Sequence, residues 1–364
     1  MTGISKLEDV TTSLHQALEK IGTFEECALL DYPAYPNIGD NLIWLGTIFY
    51  LTDVLKTKIK YASSISDFSE TLLERKIGKS PILLQGGGNF GDLWPRFQLF
   101  REQIISKYRD RQIVIMPQSI YFSNIDNLKK SAEIFNSHPN LTLFIRDNYS
   151  YEIATQYFQN CQVIKAPDMA FQMVNMPGLS LKSRPDSSTL YLYRQDRETD
   201  WAFSPTSLAI PDLVVEDWVS YTWMSKIPKD WIYIPGLVRL VREGWQRGLG
   251  TPREWMSRQV WENVHPYAFK FNTLDNPSIH RRSWSLMHSG IYQLKGHRLI
   301  ITNRLHVHIL CLLLGIPHIV LPGSYYKIEL FYETWTHQLP LCKLVKDPSQ
   351  VKVAAQELLA SLSS

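Results

Sequence analysis

The chain has 364 residues, with 38 basic against 35 acidic side chains, a formal charge of +3, and 45% hydrophobic residues. That length exceeds one small core and fits two domains of about 150–200 residues with a cleft between them. The composition is that of an ordinary folded protein, and so weak a net charge gives no case for nucleic-acid binding.

Leu14, Leu18 and Ile21 recur at helical spacing and predict a short opening helix. Cys27-Ala28-Leu29-Leu30 reads as a brief buried strand, ended where Pro33 and Pro36 forbid regular pairing. The polar loop Asn37-Ile38-Gly39-Asp40-Asn41 then leads into a helix whose apolar positions Leu42, Leu45, Ile48, Leu51 and Leu55 share a face. The same grammar returns at residues 81–85, an apolar strand followed by Gly86-Gly87-Gly88-Asn89-Phe90-Gly91-Asp92. Three consecutive glycines permit close approach of backbone to a ligand at the carboxyl end of a parallel sheet, or a tight turn; they match no nucleotide-binding fingerprint. Strands at 113–119, 143–147 and 163–170 follow, ending on Gln118, Arg146-Asp147 and Asp168. Short apolar strands separated by helical stretches predict an α/β fold with parallel sheets.

The polar, proline-bearing stretch 177–188 is the best linker, dividing the chain into an N-terminal domain of residues 1–180 and a C-terminal domain of residues 181–364. The second unit opens with a strand at 189–193 that delivers Arg194 and Arg197. A strand at 231–234 and another at 297–302 precede Thr302-Asn303-Arg304-Leu305-His306-Val307-His308, the mouth of an apolar helix that a strand at 318–321 follows. A late helix holding Val351, Ala354, Leu358 and Leu359 either finishes this domain or crosses back onto the first.

Cys27, Cys161, Cys311 and Cys342 are scattered, with neither a disulfide framework nor a zinc pair at CxxC spacing, and no HExxH occurs. No metal is expected. Met1 to Lys20 lack an apolar signal core, and the longest apolar stretch, 307–322, is interrupted by His308, Gly315, Pro317 and His318. Cytoplasmic residence is the expectation.

Strand-end loops of the first domain hold Asn37, Asp40, Asn89, Asp92 and Gln118, amides and carboxylates suited to a neutral, hydroxyl-rich acceptor. The second domain offers Arg194, Arg197, Arg304 and His306 to an anionic donor. An arginine fork, an imidazole and the N–H groups of a helix start can converge on one phosphate or carboxylate. Asp40 and Asp92 each follow a glycine, where a carboxylate either caps a helix or acts as a base. His306 and His308 point in different directions; His306 is the reactive candidate and His308 the structural one. Trp201, Trp218 and Trp223 are candidates for stacking on sugars or for the core.

Taken in order, Asn37-Ile38-Gly39-Asp40, Gly86-Gly87-Gly88-Asn89, Pro117-Gln118-Ser119, Arg146-Asp147, Ala166-Pro167-Asp168 and Thr302-Asn303-Arg304-Leu305-His306 resemble motifs of the polysaccharide pyruvyl transferase family. The resemblance implies two Rossmann-like domains with a central cleft, similar to GT-B glycosyltransferases. It implies phosphoenolpyruvate as donor, with no further cofactor, and a cyclic ketal formed across two sugar hydroxyls in cell-surface or exopolysaccharide biosynthesis. Arg304, Leu305 and His306 match the donor-binding segment of the family. Arg194 resembles its second donor-binding arginine, with Arg197 close enough to compete for that place. The implied roles are His306 as general acid or phosphate ligand, Asp40 or Asp92 as acceptor-side base, and Asn37, Asn89 and Gln118 on the acceptor side. A lipid-linked acceptor would bring the chain to the inner membrane face. Two other functions fit the same architecture, a nucleotide-sugar-dependent glycosyltransferase and a non-catalytic binding protein of polysaccharide assembly.

Overall fold

In the computed structural model, residues 6–179, 188–193, 203–208, 210, 213–218, 225–227, 230–232, 250–323 and 326–362 are described. Runs of apolar, largely β-branched residues without alternation form strands buried on both faces, as a parallel sheet covered by helices requires. The first sheet is built from β1 (Glu26–Leu30), β2 (Lys58–Ser63), β3 (Ile82–Leu84), β4 (Gly87–Gly91), β5 (Ile113–Tyr121), β6 (Leu141–Ile145) and β7 (Gln162–Lys165). Its order is β2-β1-β3-β5-β6-β7, every pairing parallel, with β4 following β3 along the same edge of β5. The glycine run is therefore itself a strand, not the loop that its composition predicts. Gly87 and Gly91 take φ of 123° and 124°, which a side chain would resist, and Phe90 buries between them.

The second sheet holds β8 (Thr189–Leu192), β9 (Leu213–Glu216), β12 (Leu299–Thr302), β13 (His318–Val320) and β14 (Cys342–Leu344) in the order β14-β13-β12-β8-β9, again parallel throughout. The short strands β10 (Ser225–Ile227) and β11 (Asp230–Ile232) pair only with each other, antiparallel. Of the strand expected at 231–234, residues 231 and 232 fall in this antiparallel pair, and 233 and 234 lie outside the described residues. β2 and β14 escape sequence reading because polar residues interrupt them, as in the exposed–buried pattern of β2, and β9 because its apolar run is only Leu213, Val214 and Val215.

The helices in chain order are α1 (Leu7–Leu18), α2 (Ile38–Phe49), α3 (Glu70–Ile77), α4 (Pro95–Lys107), α5 (Ile125–Asn136), α6 (Asn148–Tyr157), α7 (Gly250–Asn263), α8 (Pro277–Leu294), α9 (Leu305–Leu314), α10 (Lys327–Phe331) and α11 (Val351–Ser361). Among the described residues no helix is long and apolar enough to cross a membrane. Val351, Ala354, Ala355 and Leu358 of α11 join a cluster with Tyr191, Ile301 and Ile319, so this last helix covers the second sheet.

α2 joins the two halves. Eleven of its twelve residues are buried, with Leu42, Trp44, Leu45 and Ile48 in one cluster with Trp284, Leu286, Val307 and Leu310 of α8 and α9. Polar contacts fix the seam: Trp44 Nε1 donates to His280 Nδ1 at 3.0 Å, and Ser283 Oγ to Asn41 Oδ1 at 2.6 Å. The Trp44 bond makes Nδ1 of His280 the acceptor, while its Nε2 donates to the Asp275 carbonyl. Burial lowers this histidine to about 4, so the neutral ring is the form that fits.

Close approach here depends on Gly46, where a Cβ would lie 2.0 Å from the backbone oxygen of Met169. Backbone cannot swing aside as a side chain does. Gly46→Ala should therefore destabilise the protein by about 1–3 kcal/mol or more, outweighing the better helix propensity of alanine. Gly296, with nothing within 4 Å of its Cβ position, is the control. Urea unfolding of the two alanine variants should show a lowered midpoint for G46A alone.

Candidate active site

Parallel sheets gather the loops at their strand ends on one side, and here the two sets face each other across a cavity of about 340 Å3. That is the lower end of the range of small-molecule sites. Tyr35, Asn37, Asp40, Gly88, Asn89, Trp94, Phe97 and Arg146 line it from the first half; Trp218, Asn303, Arg304, Leu305, His306, Gly323, Lys327 and Ile328 line it from the second.

On the first wall Asn37, not Asp40, caps α2, its Oδ1 accepting from Gly39 N at 2.9 Å. Asn37 Nδ2 and the Tyr35 hydroxyl both donate to Asp40 Oδ2, at 2.8 and 2.9 Å. One oxygen of Asp40 is thus oriented by two donors at the cavity wall. Burial first, then the neighbouring Asp40, raises the Tyr35 phenol well above its ordinary value and keeps it a donor. Gly39 is a glycine for steric reasons: a Cβ there would fall 2.3 Å from Nδ1 of His306.

The opposing groups converge on one buried carboxylate. Asp168, with no exposure, accepts from Arg146 Nη1 at 2.6 Å and from Ala170 N at 2.9 Å, and lies 3.5 Å from His306 Nε2. The last distance is a charge contact, longer than a well-formed hydrogen bond. Burial pushes the Asp168 carboxyl up, but His306, Arg146 and the Ala170 amide outweigh it and hold it at about 2. Arg146 is further fixed through Nε to Ser119 Oγ at 2.9 Å. Lys327 reaches across to the Gly88 carbonyl at 3.2 Å, and a Cβ on Gly88 would meet Arg146 Nη2 at 3.2 Å and Lys327 Nζ at 3.5 Å. Arg304 stands just before α9 and its Nη2 pairs with Asp217. The first turn of α9 opens onto the cavity through Leu305 and His306, adding the positive end of its dipole.

The structure thus brings together Asn37, Asp40, Asn89, Arg304, Leu305 and His306 of the sequence-derived set. Two others lie elsewhere. Asp92 does not line the cavity; it accepts from Ser123 N, Asn124 N and Asn127 Nδ2 at 2.7, 2.9 and 3.1 Å, and from Ser123 Oγ, clasping the start of α5. Those donors outweigh the small cost of its burial and lower its pKa. Gln118 is fully buried behind the wall, donating to Gln85 O at 2.6 Å. Arg194, Arg197, Trp201 and Trp223 fall outside the described residues, whereas Trp218 lines the cavity.

Sequence reading missed Lys327, Tyr35 and Trp94 as cavity residues, gave Arg146 no role and took Asp168 only as a residue that orients a loop or binds a divalent ion. Arg146 and Asp168 carried a signal, a charge at the end of an apolar strand; Lys327 carried none. Asp31 was also missed. It ends β1 with φ of 69°, uncommon for a residue with a side chain, and is buried beside Arg101 at 3.9 Å. Arg101 spends its hydrogen bonds on Asn89 Oδ1 and Gln98 Oε1, at 2.8 and 2.9 Å, so desolvation of Asp31 is poorly offset and its pKa rises to about 7.

His308, His318 and Cys342 also come together, their ligand atoms within 4.8 Å, a cluster their sequence spacing did not announce. A proton chain accounts for it. His318 Nδ1 donates to Ile316 O, His308 Nδ1 donates to His318 Nε2 at 2.7 Å, and Thr336 Oγ1 donates to His308 Nε2 at 2.8 Å. Burial lowers both histidines, His318 to about 4, so the neutral rings this chain requires are the stable forms. With both imidazoles satisfied, the cluster supports the structural reading of His308.

A family model for polysaccharide pyruvyl transferases matches residues 37–325. EpsO of Bacillus subtilis (strain 168), provisionally named a pyruvyl transferase, is 31% identical over 92% of this chain and 92% of its own length. Pyruvyl transferase 1 of Schizosaccharomyces pombe is 28% identical over 86% of this chain and 70% of its length. Among solved structures, KP1_0663 of Klebsiella pneumoniae aligns with a TM-score of 0.53 at 18% identity, over 95% of this chain and all of that one, a likeness of fold.

Removing the carboxylate under the cations should be costly. Asp168→Asn leaves Arg146 buried without its counter-charge, and a loss of about 3–5 kcal/mol in denaturant unfolding is expected. Asp31 gives a pH dependence of opposite character. The folded state holds its proton more tightly than the unfolded chain, so the stabilisation is present at acid pH and is lost as pH rises through about 7. Melting curves at pH 5 and pH 8 should show a smaller drop for Asp31→Asn than for the parent; equal drops would refute the assignment.

Proposed function

The chain belongs to the polysaccharide pyruvyl transferase family, and from that membership we propose that it moves pyruvate from phosphoenolpyruvate onto two hydroxyls of one sugar, closing a cyclic ketal and releasing phosphate. The observation that carries this reading is the convergence of Arg146, Arg304, His306 and Lys327 on a single cavity that Asp40 also lines. A donor with a phosphate and a carboxylate needs several cations held apart from one another; a sugar hydroxyl needs a hydrogen-bond acceptor. Two parallel sheets whose strand-end loops both reach this cavity support the same division of labour.

In this reading Arg146 and Lys327, together with the α9 N-terminus, hold the donor anions, and Arg304 completes the clamp from its Asp217 contact. His306 gives a proton to the methylene carbon of phosphoenolpyruvate. Asp168 lies 3.5 Å from the imidazole Nε2, on the side away from the cavity, and orients the ring. The adjacent carbon becomes electrophilic and takes the oxygen of one sugar hydroxyl, whose proton passes to Asp40. The carbon–oxygen bond to phosphate then breaks, its electron pair leaving with the phosphate that the cations hold, and the second hydroxyl closes the ring as its proton passes to the now neutral His306. Asp40 is the base because Tyr35 and Asn37 fix its carboxylate at the wall; Asp92 is committed to its loop.

The test is phosphate release from phosphoenolpyruvate over a panel of free, nucleotide-linked and lipid-linked sugars, with mass detection of the product. Pyruvyl transfer predicts an acceptor heavier by a pyruvate ketal; sugar transfer from a nucleotide donor, with no phosphate released from phosphoenolpyruvate, would overturn the reading. Within the active system, Arg146→Ala and Lys327→Ala should raise the donor KM by about 10-fold to 100-fold, the worth of a charge-assisted hydrogen bond. His306→Ala and Asp40→Asn should instead lower kcat by about 100-fold to 10,000-fold, as loss of a general acid or base does.

A further inference from the structure

Trp94 and Trp218 are the largest side chains of the cavity and neither has an assignment; Trp94 is the one that shares a wall with Asp40. It stands just before α4, ahead of Pro95, is 43% exposed, and lines the cavity beside Asn89 and Phe97. Among the described residues its indole makes neither a ring contact nor a side-chain hydrogen bond. An isolated exposed apolar residue is unremarkable, but a free indole face at the edge of a polar, charged cavity is a binding surface.

Its neighbours select the ligand. Phe97, one helical turn on, meets the Tyr35 ring edge to face at 6.0 Å, and the same Tyr35 donates to Asp40. Aromatic surface and a carboxylate therefore belong to one wall, with the buried Asp31 behind it; of the cavity's cations Arg146 shares this half, and Arg304 and Lys327 stand on the far side. A phosphate-bearing ring stacked on Trp94 would be pushed off by Asp40. A pyranose suits both features, since its C–H groups form an apolar face while its hydroxyls point outward to a hydrogen-bond acceptor.

We propose that Trp94 is the stacking platform of an acceptor subsite for an uncharged pyranose ring, whose reacting hydroxyl is delivered to Asp40. This deepens the function proposed above and rests on it for the direction of transfer, but the subsite is testable by binding alone. Sequence reading offered Trp201, Trp218 and Trp223 for stacking, whereas Trp94 lies in the first half of the chain, away from them in sequence. The flat indole restrains the ring plane and leaves the hydroxyl pattern to be read by Asp40, Asn37 and Asn89.

The experiment is saturation-transfer NMR on the full chain with methyl α- and β-pyranosides of glucose, galactose and mannose, and with uridine diphosphate. Transfer to the ring protons of at least one methyl pyranoside is expected, with its affinity reduced about tenfold in Trp94→Ala and largely restored in Trp94→Phe. Stabilisation by phosphoenolpyruvate in thermal melts should be the same in parent and variants, which separates this subsite from the donor clamp. Absence of transfer to every pyranoside, equal pyranoside affinity in parent and W94A, or uridine diphosphate binding that depends on Trp94 would each overturn the proposal. Loss of the phosphoenolpyruvate effect in the parent would instead count against the donor reading and leave the pyranoside result to decide the subsite.

Discussion

A buried negative charge organises the centre of this molecule. Asp168 has no contact with solvent, and a carboxylate in that position is stable only if cations and amides surround it. Arg146 comes from the end of β6 and His306 from the first turn of α9, so satisfying one carboxylate ties the first sheet to the second beneath the cavity. The arrangement has a chemical consequence. Asp168 gives Arg146 its counter-charge and holds His306 beside it at 3.5 Å. In the function proposed above, an anionic donor would meet groups already fixed in place, with little reorganisation at the moment of reaction.

Close packing around the cavity depends on missing side chains as much as on present ones. Gly39 leaves room for the imidazole of His306 across the seam, Gly46 for the Met169 carbonyl within the first half and Gly88 for Arg146 and Lys327. Gly39 and Gly88 fall in motifs that read as ligand loops, yet at Gly39 the neighbour is a protein side chain. The structural and the functional readings of Gly88 coincide, because the groups it admits are the cations of the site. Position 88 therefore limits how near Arg146 and Lys327 can come to the floor of the cavity.

Behind the first wall lies a second polar layer. Arg101 holds Asn89 from below and Asp31 sits beside it, with Gln98 linking Arg101 to the Gly91 amide. The layer fixes the glycine-rich strand through the Asn89 side chain and the Gly91 amide. The cavity in front of it mixes charges, with Asp40 and Arg146 lining it from the first half and Arg304, His306 and Lys327 from the second. At the seam α2 serves both purposes, its buried face packing on α8 and α9 while its first turn presents Asp40.

Periodicity made the architecture legible, since an apolar run such as 113–116 or 299–301 can be buried on both faces only in a covered parallel sheet. β2 and β14 were not legible because pairing at a sheet edge tolerates polar residues, β9 because its apolar run is short, and the glycine run was misread because its strand character comes from β5 beside it. The Arg304-Leu305-His306 segment and Asp40 stood out by charge at the mouth of apolar elements. Asp92 stood out in the same way and is a loop clasp; Arg146 and Asp168 carried a charge at a strand end without pointing to the cavity, and Tyr35 and Lys327 carried no signal. By itself the sequence determined most of the elements, the family resemblance and the kinds of charge available. The tertiary structure alone decided which charges meet, because the contact of Asp168 with His306, and the placing of Asp40 at the same cavity, depend on sheet order and on the packing of α2, which no local pattern of residues encodes.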